Sequence, residues 1–203
     1  MKKYFKWGVI FVCLVGVLFL TYMVVMDREI FIDSYVYDFM SNGVISDRRT
    51  GFVKFITNLA SPIFVIVLAI LLIIFIRDKH IKLNIVINLT GITIINNVLK
   101  MIIARDRPDI NRLVFEDGYS FPSGHSITSV VFYGYLIYLI FKYVKHRKIK
   151  FFLILFLLLL IPSIGISRIY LGVHYTSDVL CGLLLGIVYL IGFISILERS
   201  KDK

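Results

Sequence analysis

Charge is scarce in this chain. Asp, Glu, Lys and Arg make up 18% of its 203 residues while 59% are hydrophobic, and a water-soluble domain of this size has no core large enough to take so much apolar surface. Cysteine is nearly absent: Cys13 and Cys181 both fall in apolar stretches, which argues against a disulfide framework or a thiolate metal site. There is no linker, low-complexity tract, second domain or convincing internal repeat, and no carboxylate cluster of the kind that holds Mg²⁺. Acidic side chains are outnumbered, 13 against 23 Lys and Arg, leaving a formal net charge of +10. With 17 Phe and 12 Tyr that balance would suit a nucleic-acid surface in a soluble protein. Here the aromatics lie inside apolar runs and the basic residues between them, which is the layout of a membrane protein, so no nucleic-acid partner is expected.

Six apolar runs approach the length of about 20 helical residues that crosses a bilayer: 7-26, 56-76, 83-104, 124-142, 151-167 and 177-197. They predict an all-α integral membrane protein, one domain over 1-203 with six transmembrane helices. The first run follows Lys2, Lys3 and Lys6 as a signal peptide would, but it is too long and lacks a small-residue cleavage site, so it is read as a retained helix. The fifth carries Pro162 and Gly165, and a break or bend is expected at its outer end. Between the first two runs, Ile32, Tyr35, Val36, Phe39 and Met40 recur at helical spacing among Asp33, Ser34 and Asp38, the pattern of a short amphipathic helix on the membrane surface.

Loop charge sets an orientation. With alternating crossings, 14 of the 23 Lys and Arg fall on the side of the two termini, including Lys142, Lys145, Arg147, Lys148 and Lys150. The positive-inside rule then puts both termini in the cytoplasm and the loops around 27-55, 105-123 and 168-176 outside, facing the exterior or the periplasm.

Polar groups at those outer helix ends carry the chemistry. In KMIIARDRP, Lys100 and Arg107 are seven residues apart and share a face if the helix continues as far as Pro108, a plausible clamp for a phosphoryl group, although snorkelling cations at a helix end are ordinary. In FPSGH, Pro122, Ser123, Gly124 and His125 open the fourth run; a serine and a glycine there offer N–H groups to an anion, with a histidine beside it to move a proton. A simple helix cap would look the same. In SRIYLGVHYTSD, His174 and Asp178 are four apart, so the carboxylate can hold one ring nitrogen and leave the other as nucleophile. Arg168 adds a third cation, and a structural His–Asp pair is the alternative. Together the three stretches supply what phosphoryl transfer needs, namely charge, a nucleophile and a proton donor, without a metal or other cofactor. Three further outer arginines, Arg49, Arg105 and Arg112, take no role in these motifs; they would suit a diphosphate, but are assigned rather to headgroups or water.

The three stretches resemble the type-2 phosphatidic acid phosphatase family, whose pattern K-x6-R-P, P-S-G-H and S-R-x5-H-x3-D is met by Lys100, Arg107 and Pro108, by Pro122 to His125, and by Ser167, Arg168, His174 and Asp178. The resemblance implies a helical core like that of the vanadium haloperoxidases. It implies catalysis by His174, His125 and Asp178, phosphate binding by Lys100, Arg107, Ser123, Gly124 and Arg168, and supporting places for Pro108, Pro122 and Ser167. The substrate it implies is a membrane lipid phosphate such as phosphatidylglycerol phosphate, undecaprenyl diphosphate or phosphatidate, with the bacterial phosphatidylglycerophosphatase B type most similar. A lipid phosphotransferase would use the same residues. A non-enzymatic headgroup carrier would place its polar groups nearer the bilayer midplane.

Overall fold

The computed structural model describes residues 3–28, 30–109 and 112–201; Lys2 of the basic N-terminus lies outside them. The described residues hold helices and no strand. In chain order these are α1 (Lys3–Val25), α2 (Phe31–Phe39), α3 (Asp47–Asn58), α4 (Pro62–Phe75), α5 (Lys79–Ile103), α6 (Gly124–Thr128), α7 (Gly134–Tyr143), α8 (Arg147–Tyr170) and α9 (Thr176–Lys201). A π-helical turn, Ser129–Tyr133, joins α6 to α7, so that Gly124–Tyr143 is one 20-residue rod. That rod, α1, α5, α8 and α9 are each long and apolar enough to cross a membrane, and the bent pair α3–α4 makes a sixth crossing if counted as one. The protein is a multi-pass membrane protein, and exposed side chains such as Phe11, Leu18, Ile63, Phe75, Phe156 and Leu159 give its helices an apolar exterior suited to lipid.

Two local features differ from the sequence pattern. The run at 56-76 is broken: α3 and α4 meet at 47°. Pro62 cannot donate an N–H and sits at the first turn of α4, and the Ser61 hydroxyl accepts from the Phe64 N–H at 3.3 Å, so a new helix starts there. Pro162, by contrast, breaks nothing, and α8 runs through it to Tyr170. The expected break at its outer end is corrected: a single proline is tolerated inside a packed membrane helix whose neighbours hold it, and Gly165 gives α9 room, since a Cβ there would lie 2.9 Å from Val179.

Small residues set how closely the helices meet. A Cβ on Gly182 would lie 2.8 Å from the Ser123 carbonyl, and one on Gly186 2.8 Å from the Val130 Cβ. This pair, four residues apart on α9, lets the backbone of α9 press against α6 and the π turn. The π turn disturbs the helical ladder, and the amide of buried Asn88 on α5 donates to the Val131 carbonyl at 3.2 Å. An apolar core of Val65, Ala69, Ile85, Phe132, Tyr135, Leu160 and Ile164 ties α4, α5, α7 and α8 together. At one end of the bundle Tyr170, Leu171 and Val173 form a second core beneath Val44, Val53 and Leu113. The polar cluster lies at that end.

Candidate active site

α5 stops at Ile103 because Ala104 turns left-handed, at φ 49° and ψ 36°. Arg107 is therefore not on a helix, and the shared helical face expected for Lys100 and Arg107 is corrected. Pro108 disfavours helical backbone at the residue before it, and the Arg107 side chain is held instead by carbonyls: Nε donates to Gly118 at 2.9 Å, Nη2 to Asp117 at 2.9 Å and Nη1 to Val173 at 2.9 Å. Lys100 reaches the same place from the last turn of α5, its ammonium donating to the carbonyls of Tyr119 and Ser120.

Both cations line a cavity of about 610 Å³ together with Gly124, His125, Arg168 and His174. Arg168 is 1% exposed, and its Nη1 donates to the Thr57 hydroxyl at 2.9 Å. Its Nη2 donates to Glu116 at 2.5 Å, while its Nε has no partner. A buried donor left unsatisfied in a cavity wall is costly and suits an anionic ligand. His125, in the first turn of α6, lines the same space.

His174 precedes α9 rather than lying in it. Its Nδ1 is 3.5 Å from Asp178 Oδ2 and 3.3 Å from the Ser120 hydroxyl, which itself donates to the same Oδ2. The His–Asp pair read from spacing is present, and Ser120 joins it by contacting both partners. Nδ1 faces the carboxylate, so Nε2 is the nitrogen turned to the cations, 3.3 Å from Arg107 Nη1. Burial pushes the ring down from its ordinary value to about 4; Asp178 opposes this by hydrogen bond and charge, and Arg168 and Arg107 add to it. The imidazole is neutral at pH 7 and Nε2 keeps its lone pair. For Glu116, burial raises the carboxyl, but the charge and hydrogen bond of Arg168 with the charge of Arg107 prevail and hold it below the usual carboxylate range.

Ser123 stands apart from the expected phosphate cradle. It is fully buried, its N–H donates to the Asp178 carbonyl at 3.1 Å, and its hydroxyl accepts from Ser126 at 3.0 Å. Ser167 turns inward too, its hydroxyl donating to the Ile164 carbonyl at 2.6 Å. Pro108 and Pro122 are buried at the ends of the loop that carries Glu116 and Ser120, the Phe121–Pro122 peptide being cis.

The structure adds residues that the motifs do not name. Arg105, assigned from sequence to headgroups or water, turns inward: Nη1 donates to Asp178 Oδ1 at 2.6 Å and to the Ser177 hydroxyl at 2.8 Å, and Nη2 donates to Asp33 at 3.0 Å. Burial lowers this guanidinium, yet Asp178 and Asp33 outweigh burial and raise it. Asp33, 9% exposed, comes from α2 and accepts from the Ser177 N–H at 2.7 Å and hydroxyl at 2.6 Å. Its sequence signal was an acid three and seven residues before Val36 and Met40, on the apolar stripe of an amphipathic helix.

Comparison with known proteins gives a family match over residues 79–202, to the PAP2 superfamily. Phosphatidylglycerophosphatase B of Bacillus subtilis is 39% identical over 117 residues, 54% of this chain and 56% of that protein. The chain thus aligns with little more than half the length of that relative. Among solved structures, the transmembrane PAP2-type phosphatidylglycerolphosphate phosphatase of Bacillus subtilis is similar with a TM-score of 0.78 and 26% identity, covering 91% of this chain and 96% of that one. LpxE of Aquifex aeolicus is similar with a TM-score of 0.62 and 27% identity, covering 80% and 94%.

Proposed function

The chain belongs to the PAP2 superfamily, and from that premise we propose that it is a membrane lipid phosphatase that hydrolyses phosphatidylglycerol phosphate or undecaprenyl diphosphate, with phosphatidate a further candidate, through a phosphohistidine on His174. The observation that carries the proposal is the cavity in which His174 Nε2 faces Arg107 at 3.3 Å while Lys100, Arg168 and His125 line the same space.

In this reading Lys100, Arg107, the unpartnered Nε of Arg168 and the N–H groups at the start of α6 hold the phosphoryl oxygens. Ser123 supports the start of α6 rather than touching phosphate. Nε2 of His174 attacks phosphorus as the bond to the leaving oxygen breaks, and His125 gives that oxygen a proton. The ring becomes cationic, and Asp178 with Ser120 stabilises it through Nδ1–H. Water then attacks phosphorus, the P–N bond breaks, and His125 takes the proton from the water. The three cations supply the charge stabilisation for which other phosphoryl-transfer enzymes use Mg²⁺, and no group of three His, Cys, Asp or Glu suited to a metal occurs among the described residues; the reaction is proposed to be metal-independent. Val65, Ile66, Leu89 and Ile92 continue the cavity wall between α4 and α5, giving lipid tails an apolar path to the bilayer. The loop-charge rule puts the site on the outer face and both termini in the cytoplasm.

The test is phosphate release by detergent-purified protein in EDTA, with phosphatidylglycerol phosphate, undecaprenyl diphosphate and phosphatidate compared for wild type and His174→Ala. Release that survives EDTA and disappears in the variant is expected. Full activity in His174→Ala, or no release from any of the three lipids, overturns the proposal.

A further inference from the structure

We propose that Arg105 and Asp33 are positioning residues for the nucleophile, so that α2 holds His174 in its attacking orientation through Asp33, Arg105 and Asp178. The inference rests on the reading of His174 as nucleophile.

Asp178 is fully buried, and its two oxygens are divided between two tasks. Oδ2 accepts from the Ser120 hydroxyl and from the Tyr175 N–H at 2.8 Å, on the side of His174. Oδ1 accepts from Arg105 at 2.6 Å. A carboxylate with one oxygen taken by a guanidinium cannot rotate freely about its terminal bond, so the oxygen that serves His174 stays in place. The cation also offsets the cost of an isolated buried anion.

Arg105 is fixed in turn. Its guanidinium lies 4.0 Å over the Tyr175 ring, and its second arm pairs with Asp33. Asp33 accepts from the N–H and hydroxyl of Ser177, the residue before Asp178, and so caps the first turn of α9 from another helix. The same acid therefore orients the backbone that carries Asp178 and the arginine that holds its side chain.

Neither residue is placed to touch a phosphate at His174. Asp33 and Arg105 line a separate cavity of about 660 Å³ against α2, and neither lines the one that contains His174. Their effect on the reaction passes through Asp178. Loss of the partner that orients a metal-binding histidine or carboxylate lowers affinity or activity by about tenfold to a hundredfold, and the same scale is taken for this pair.

Asp33→Asn keeps an acceptor for Ser177 and removes the charge paired with Arg105; Arg105→Lys keeps a charge and removes the fork that spans Asp33 and Asp178. Both are compared with wild type and His174→Ala in detergent, with kcat, the Ki of inorganic phosphate as competitor, and the melting temperature measured for each. Each variant is expected to lose about tenfold to a hundredfold in kcat, with the phosphate Ki within about twofold of wild type because Lys100, Arg107 and Arg168 are untouched. An unchanged kcat, or a kcat and Ki that worsen together, overturns the inference; the latter marks a general loosening of the outer end. Should Asp33→Asn not fold, Arg105→Lys decides alone. If instead His174→Ala remains active, the proposed mechanism fails, whatever these two variants do.

Discussion

Glu116 holds a carboxylate oxygen 2.5 Å from Nη2 of Arg168, with its other oxygen 3.9 Å from Arg107. The loop between α5 and α6 thus brings its own anion to the arginines proposed to take phosphate. On the proposed function, a phosphoryl group arriving there competes with that carboxylate for the charge of the same two guanidinium groups.

Removing the charge relieves the competition. Glu116→Gln is expected to tighten inorganic phosphate about fivefold, a gain of about 1 kcal/mol for one partly solvated ion pair, read as a lower Ki in a steady-state assay. A Ki that rises would mean that Glu116 serves mainly to hold Arg168 in place.

On the proposed mechanism the acid limb of the rate profile belongs to His174: its neutral ring attacks and its protonated ring cannot, so kcat/KM is expected to fall as pH drops through about 4, well below the ordinary histidine value. Arg107→Gln removes a positive charge 3.3 Å from Nε2, and with it part of the penalty against protonation. In that slower enzyme the limb is expected to move up in pH toward 6.5, the ordinary value. A limb that stays where it was would assign it to another group.

Close approach of α9 and α6 is tested at Gly182, where an added Cβ meets the Ser123 carbonyl at 2.8 Å and Ser126 at 3.0 Å. The backbone must move apart, and Ser123 donates to the Asp178 carbonyl across that contact. Gly182→Ala is expected to cost about 1–3 kcal/mol of stability and to lower kcat by about tenfold or more, since small displacements of reacting groups are costly. Thermal unfolding in detergent and single-turnover rates read the two effects separately.

Ala104 offers the opposite case. Its left-handed backbone, φ 49°, costs an L-residue about 1 kcal/mol or more that glycine does not incur. Ala104→Gly is expected to raise the melting temperature, by about 1 kcal/mol of stability, with kcat unchanged.

Much of this site could be read from the chain because its polar residues sit where apolar helices begin or end, where nothing but chemistry or pairing justifies them. Lys100, His125, Arg168 and His174 stand out against runs of Ile, Leu and Phe. Arg105 and Arg107 could not be told apart in this way. They are alike in charge and two residues apart, and which one faces the cavity of His174 depends on the left-handed turn at Ala104 and on carbonyls contributed by residues 117, 118 and 173. Ser120 is a serine in a loop, and its place between His174 and Asp178 follows from tertiary folding alone. The bend at Pro62 was legible from the proline and the serine before it, but the hydrophobic run around them hid it. Pro162 misled in the other direction, since packing in the bundle overrides the local tendency to bend.

The cavity that begins at His174 continues past Val65 and Ile92 between α4 and α5. On the proposed chemistry, the two products of one turnover part company by solubility: the dephosphorylated lipid remains in a two-dimensional phase, while inorganic phosphate diffuses into bulk water. Hydrolysis in water is itself downhill and dilution of phosphate makes it effectively one-way without an energy-carrying cosubstrate; the cavity governs only where each product leaves.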